Sequence, residues 1–254
     1  MNTLDKEQRL TIHFEKGKFN LKELSRMFWK DMLRSINTQI ISENKSTHCT
    51  SFILSHSSLL IFESYFLLIT CGSNKIELFV DKLFNNLKSV PVTSLSYQEQ
   101  GFNEMEPQDE SNFDAIAKKH LNNFNVSISH SKNMRASVFL SPVCTPMKSS
   151  NVSQIFMKGI SKNALEKDFY KNLHSNAPSN FNSFTLHDHH FEPCGYSLNA
   201  IEGGDYFIIH VSPEDQVSYL SFETNALGPE ALILATDWLK DSFSPEQFHI
   251  NSIA

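Results

Sequence analysis

Between Ser51 and Ile69 the chain carries two apolar, β-rich runs, FILSHSSLLIF and YFLLI, parted only by Glu63 and Ser64 and closed by the cluster Cys71-Gly72-Ser73-Asn74. Short apolar runs bounded by turn residues predict a buried β-hairpin. Inside the first run, Leu54-Ser55-His56-Ser57-Ser58-Leu59 places several hydroxyls where an unpaired polar group is costly. Serines in strands commonly satisfy themselves on neighbouring backbone. Where they do not, something must use them.

The rest of the chain supplies partners for that hairpin. Leu10 to Phe14 alternates as a strand, and Leu21 to Leu33 carries Leu21, Leu24, Met27, Phe28, Met32 and Leu33 at helical spacing. Lys75 to Leu87 puts Ile76, Phe79, Val80, Leu83, Phe84 and Leu87 on one helix face, a stripe suited to packing across the sheet. The second half repeats the plan, with strands Tyr196 to Ile201, Tyr206 to Val211 and Val217 to Thr224, a turn at Glu202-Gly203-Gly204-Asp205, and a helix from Pro229 to Phe243. Two similar halves suggest a duplicated sheet-plus-helix unit. Tyr97 to Asn112 and Ser175 to Ser183 are polar, lack an apolar period and read as loops. No boundary between independent domains stands out, so residues 1–254 read as one domain.

A net charge of −6 without a long Lys/Arg run argues against a nucleic-acid partner. The start MNTLDKEQRLTIHF is charged where a signal peptide needs an apolar core, and no stretch approaches the roughly 20 apolar residues of a membrane span. A cytoplasmic protein is expected, with no membrane association. Cys49, Cys71, Cys144 and Cys194 match no zinc or disulfide spacing and are expected to act, if at all, as thiols.

Five segments in order then resemble the eukaryotic S-adenosylmethionine decarboxylase proenzymes. They are LSHSSLLI from Leu54, Ile69-Thr70-Cys71-Gly72-Ser73, Phe191-Glu192-Pro193-Cys194-Gly195-Tyr196-Ser197-Leu198-Asn199, Tyr206 to Glu214 (YFIIHVSPE), and Ser218 to Asn225 (SYLSFETN). The resemblance implies an α/β (α+β) four-layer αββα sandwich of two antiparallel sheets with helices outside. It implies self-cleavage between His56 and Ser57 into a β chain of residues 1–56 and an α chain of residues 57–254. Ser57 would become a covalent pyruvoyl cofactor, with no metal, and would form a Schiff base with S-adenosylmethionine to release CO2. The product would serve spermidine and spermine synthesis.

By the same resemblance Ser197 assists cleavage, His210 accepts a proton during it, Cys71 donates a proton to the substrate carbon, and Glu7 is an active-site acid. Leu54, Phe191 and Glu214 would bind substrate, Phe191 by stacking on adenine and Glu214 through the ribose hydroxyls. Family members occur as monomers, homodimers and heterodimers with a paralogue, and the resemblance leaves these open. His56 stands where the family has glutamate, Thr3 replaces a stacking aromatic, and Ser150, Gln154, Thr11 and Ile69 replace most of the charged residues that bind putrescine in animal members, with Glu223 kept. Little putrescine activation is therefore expected. Two rivals remain: an inactive paralogue that regulates a true decarboxylase, and a metal protein using His187, Asp188, His189 and His190.

Overall fold

A computed structural model describes residues 6–55, 57–72, 74–101, 111–143, 152–213 and 218–253. The chain divides into two compact units, Met1–Met147 and Lys148–Ala254.

The first unit contains β1 (Lys6–Phe14), α1 (Arg26–Arg34), β2 (Ile40–Lys45), β3 (Thr50–Leu54), β4 (Ser57–Ile61), β5 (Tyr65–Cys71), α2 (Ile76–Asn86), β6 (Val92–Gly101), α3 (Asn112–His120), β7 (Asn125–Ser131) and β8 (Met134–Leu140). Among the described residues its strands form one eight-stranded sheet in the order β2-β3-β4-β5-β1-β6-β8-β7. The pairings are antiparallel.

Local chemistry sets several of these boundaries. The expected helix from Leu21 begins instead at Arg26, because the Asn20 side chain caps a separate 3-10 turn at Leu21–Glu23. Ser25 then opens α1 by accepting a hydrogen bond from the Phe28 N–H at 3.1 Å. The expected hairpin is three strands: the first apolar run breaks after Leu54, and Leu54 pairs directly with Ser57. The reading of Tyr97 to Asn112 as a loop is corrected in its first part, since β6 continues to Gly101. There Gln98 and Gln100 are buried, and apolar periodicity does not register buried polar side chains.

One face of this sheet carries Leu10, Ile12, Phe52, Leu59, Ile61, Phe66, Leu68, Leu95 and Phe139, which cluster with Trp29 and Leu33 of α1, Phe79 and Leu83 of α2, and Phe113 of α3. Burying each such Phe or Leu contributes about 1.5–3 kcal/mol. The stripe predicted for α2 is buried as expected, whereas that of α1 is corrected, since Met27 is exposed and Trp29 packs into the core instead.

The second unit contains β9 (Val152–Lys158), α4 (Lys167–Ser175), β10 (Thr185–His190), β11 (Tyr196–Glu202), β12 (Asp205–Pro213), β13 (Ser218–Thr224), α5 (Pro229–Phe243) and β14 (Gln247–Ile253). Its described strands form a six-stranded antiparallel sheet in the order β10-β11-β12-β13-β9-β14. Pro229 starts α5 and Ser244, at φ 44°, ends it in the left-handed conformation. Tyr170 and Leu173 of α4 and Leu239 and Phe243 of α5 cluster with Leu198, Phe207, Ile209, Leu220 and Phe222 of the sheet. Within the expected loop Ser175 to Ser183, a 3-10 turn at Ser179–Phe181 buries Phe181 in the same cluster.

Each unit is thus one antiparallel sheet with helices packed on one of its faces, the repeated plan expected for this α+β chain. Among the described residues no helix is long and apolar enough to cross a membrane.

Candidate active site

Two residues separate β3 from β4, and they account for part of the hydroxyl cluster. Ser55 satisfies itself on backbone: its N–H reaches the Gln39 carbonyl at 2.9 Å, and its Oγ accepts from the Gln39 N–H at 3.1 Å. Ser57 does not. It is 1% exposed, and its Oγ has no hydrogen-bond partner among the described residues. His56, the residue before it, lies outside the described residues.

Ser57 faces Thr70 in the β4–β5 register. Both share the parity of Leu59, Ile61, Phe66 and Leu68, so both side chains leave the sheet on its helix face. Thr70 is fully buried, and its Oγ1 lies 2.5 Å from Asn74 Nδ2. The same Nδ2 lies 3.3 Å from the Cys71 carbonyl oxygen. That oxygen can only accept, which fixes the amide orientation and makes Thr70 Oγ1 the acceptor from Asn74. Gly72, at φ +83°, makes the tight exit from β5 that returns Asn74 to Thr70.

Cys71 and Glu7 occupy the opposite face. They are direct partners in the β1–β5 register, and Cys71 Sγ lies 4.0 Å from Glu7 Oε2, within reach of a weak S–H donor. Glu7 is 4% exposed. The sheet therefore separates Ser57 and Thr70 from Cys71 and Glu7 by one residue of strand and one side of the pleat. Leu54 sits with the first pair, its side chain in the helix-face core.

In the second unit Ser197 and His210 are direct partners on β11 and β12, and Ser221 continues the row on β13. Ser197 and His210 are both buried. They lie on the face away from the helices, since Leu198, Ile209 and Leu220 point the other way. Phe191 follows β10 in a short return, where its N–H bonds the Gly195 carbonyl at 2.9 Å and its ring meets His189 edge-on at 4.7 Å. Gly195 has φ +115°, and a Cβ there would sit 3.5 Å from Phe191 Cβ. That contact is an ordinary one, so it is the positive φ of the turn that calls for glycine, beside the half-buried Phe191. Glu214 lies outside the described residues, as do Thr3 and Ser150.

On the same face, Glu223 accepts from Gln154 Nε2 at 2.8 Å and from the Tyr206 hydroxyl at 2.6 Å, both neutral donors. On β10 the pleat sends His187 and His189 to one side and Asp188 and His190 to the other, so the four do not converge on one metal. Asp188, itself exposed, instead meets the buried Tyr196: the Tyr196 hydroxyl donates to Asp188 Oδ2 at 3.1 Å, and His174 Nε2 lies 2.7 Å from the same hydroxyl. Burial, with the Asp188 charge second, raises the Tyr196 pKa, and burial lowers that of His174.

Residue-level reading of the sequence passed over Thr70 and Asn74. Thr70 lay inside a matched segment and Asn74 inside a turn cluster, but only cross-strand register joins them to Ser57.

The profile described as Adenosylmethionine decarboxylase matches residues 5–254. An S-adenosylmethionine decarboxylase proenzyme of Drosophila melanogaster is 28% identical, over 86% of this chain and 73% of that protein. One of Trypanosoma cruzi is 27% identical, over 78% of this chain and 60% of that protein. Proenzyme 2 of Arabidopsis thaliana is 27% identical, over 96% of this chain and 76% of that protein. The match thus spans between 60% and 76% of these relatives' lengths. The crystal structure of a Trypanosoma brucei AdoMetDC-delta26 monomer aligns with TM-score 0.56 at 21% identity, covering 76% of this chain and 78% of that one, and shares its fold.

Proposed function

The chain belongs to the adenosylmethionine decarboxylase family, and from that we propose a proenzyme that cuts itself between His56 and Ser57 and then decarboxylates S-adenosylmethionine. The observation that carries this reading is the Ser57 hydroxyl, buried and without a partner at a two-residue strand connection. A buried hydroxyl with no hydrogen bond costs about 1–3 kcal/mol, a cost the neighbouring Ser55 avoids on Gln39.

In cleavage, Ser57 Oγ adds to the carbonyl carbon of residue 56 and the C–N bond breaks, leaving an ester and a free amino group on residue 57. Loss of the residue 57 α-proton then expels the carboxylate of residue 56 by cleavage of the Cβ–Oγ bond. Addition of water and loss of ammonia leave a pyruvoyl group at the new N-terminus. Ser197 is assigned to the ester stage and His210 to removal of the α-proton, and their direct pairing on β11 and β12 places hydroxyl and imidazole side by side.

The Ser57 position fits that group, because the partnerless hydroxyl is its chemical precursor. Such a ketone supplies an electron sink for loss of CO2 from an amine-bearing substrate. Cys71, opposite Glu7, is assigned as proton donor to the substrate carbon, with the carboxylate at 4.0 Å to relay the proton. Phe191, held half-buried against Gly195, offers its ring to a flat base, and Glu214 is assigned to the ribose. Leu54, whose side chain is committed to the core, would contact substrate through its backbone. With Ser150, Gln154, Thr11 and Ile69 at the other matching positions, Glu223 is not expected to anchor putrescine. A cytoplasmic location completes the proposal.

Intact-mass analysis of the purified chain beside Ser57→Ala tests the proposal. Two fragments, residues 1–56 and 57–254 with the latter blocked at its N-terminus, are expected for the unaltered chain and a single uncut species for the variant. An uncut parent chain overturns the proposal.

A further inference from the structure

We propose that His189 holds the ring of Phe191 in the attitude that stacks on the substrate's adenine, and so sets affinity for substrate without entering the chemistry. This rests on the substrate reading above and adds a positioning residue to it. Among the described residues β10 is an edge strand of the six-stranded sheet, and Phe191 follows it in the short return to β11. A half-buried ring just beyond an edge strand has to be held by its immediate neighbours.

Two local contacts do this. The Phe191 N–H bonds the Gly195 carbonyl, and a Cβ built on Gly195 would stand 3.5 Å from Phe191 Cβ and 3.7 Å from its Cδ2, so the return's backbone flanks the ring there. From β10 the His189 ring meets the Phe191 ring with centroids 4.7 Å apart and planes at 76°, an edge-to-face arrangement that aromatic pairs favour.

The pleat explains why His189 is the residue that arrives. His190 turns toward Tyr170, at 5.0 Å between ring centroids, and Asp188 meets the Tyr196 hydroxyl, both on the helix side of the sheet. His189 leaves on the other side, where its direct cross-strand partner is Ser197, with His210 next in the row. A ring already held still loses less rotamer freedom when a flat base settles on it. His189 makes or breaks no bond in this scheme, so its removal falls on affinity and leaves turnover alone.

The test uses the self-cut full-length protein. It reads KM and kcat with S-adenosylmethionine, and equilibrium binding with adenosine, which carries the base and ribose but no amine. An aromatic pair of this kind is worth about 2–10-fold in affinity, so His189→Ala should raise KM and weaken adenosine by that factor. Cleavage and kcat should stay within about twofold of the parent. His189→Phe, which keeps a ring, should restore both affinities. A double-mutant cycle gives the decisive reading: in a Phe191→Ala background, His189→Ala should weaken adenosine no further, since no ring remains to be held. Parent-like affinity in His189→Ala, a further loss in the Phe191→Ala background, or a defect confined to cleavage, as a helper of Ser197 would show, overturns the inference. Provided that Phe191→Ala alone weakens adenosine, each of these outcomes leaves the substrate reading intact. A parent that binds no adenosine, or a Phe191→Ala variant that binds it as the parent does, overturns both.

Discussion

Ser57 and Tyr196 are two strand hydroxyls, one in each unit, and both are 1% exposed. Tyr196 has two side-chain partners, Asp188 and His174, and a stacked neighbour in Tyr170 at 3.8 Å. Ser57 Oγ has none among the described residues. Most buried polar groups are satisfied, since leaving one bare costs free energy. Thr11 and Thr93 also carry buried hydroxyls without a partner among the described residues, so what sets Ser57 apart is its place at the two-residue connection of the proposed cut. His13 offers a third outcome. Its Nδ1 is also bare, its ring stacks on Tyr65 at 4.8 Å, and burial, followed by the charges of Arg9 and Lys16, lowers its pKa to about 4. The histidine remains inside by giving up its charge.

The strongest way to break this contrast is Ser57→Ala, which should abolish cleavage outright on a denaturing gel. Next in size, Cys71→Ala should leave cleavage complete and lower CO2 release about 10²–10⁴-fold, because the thiol is assigned to protonation of the substrate carbon and not to the cut. Equal losses in both steps would show that the thiol also serves cleavage. Tyr196→Phe should still cut itself but lose about 0.5–1.5 kcal/mol in urea denaturation, because Asp188 and His174 lose the hydroxyl but can turn to water.

The smallest effect concerns His13. Its folded pKa lies below its unfolded value of 6.5, so the unfolded chain binds the extra proton between about pH 6.5 and 4. Stability is fully present above that window and falls as the pH drops through it. His13→Gln should flatten that decline by up to one proton, read from stability measured across pH.

The strands β11, β12 and β13 and the helix Pro229–Phe243 were legible in the sequence because apolar residues alternate or recur there at the period of the element. β7 was not, since NVSISHS is exposed along most of its length and its ladder depends on β8. The capping box of Ser111 and Asp114 announces α3 in the sequence and was passed over. For the site, the matched segments carried Ser57, Cys71, Ser197 and His210, and local spacing could carry no more. The opposition of Ser57 to Thr70 joins residues thirteen positions apart through a ladder, a relation fixed by register.

The sheet order has a consequence for a chain cut before Ser57. Strands β1, β2 and β3 then belong to the short piece, yet β1 lies between β5 and β6 of the long one, and β3 pairs with β4. The short piece cannot depart without tearing three ladders. The cut protein therefore travels as one particle, but melting turns it into two molecules that must find each other again. Its refolding becomes dependent on concentration, and heating leaves a hysteresis that the uncut chain lacks.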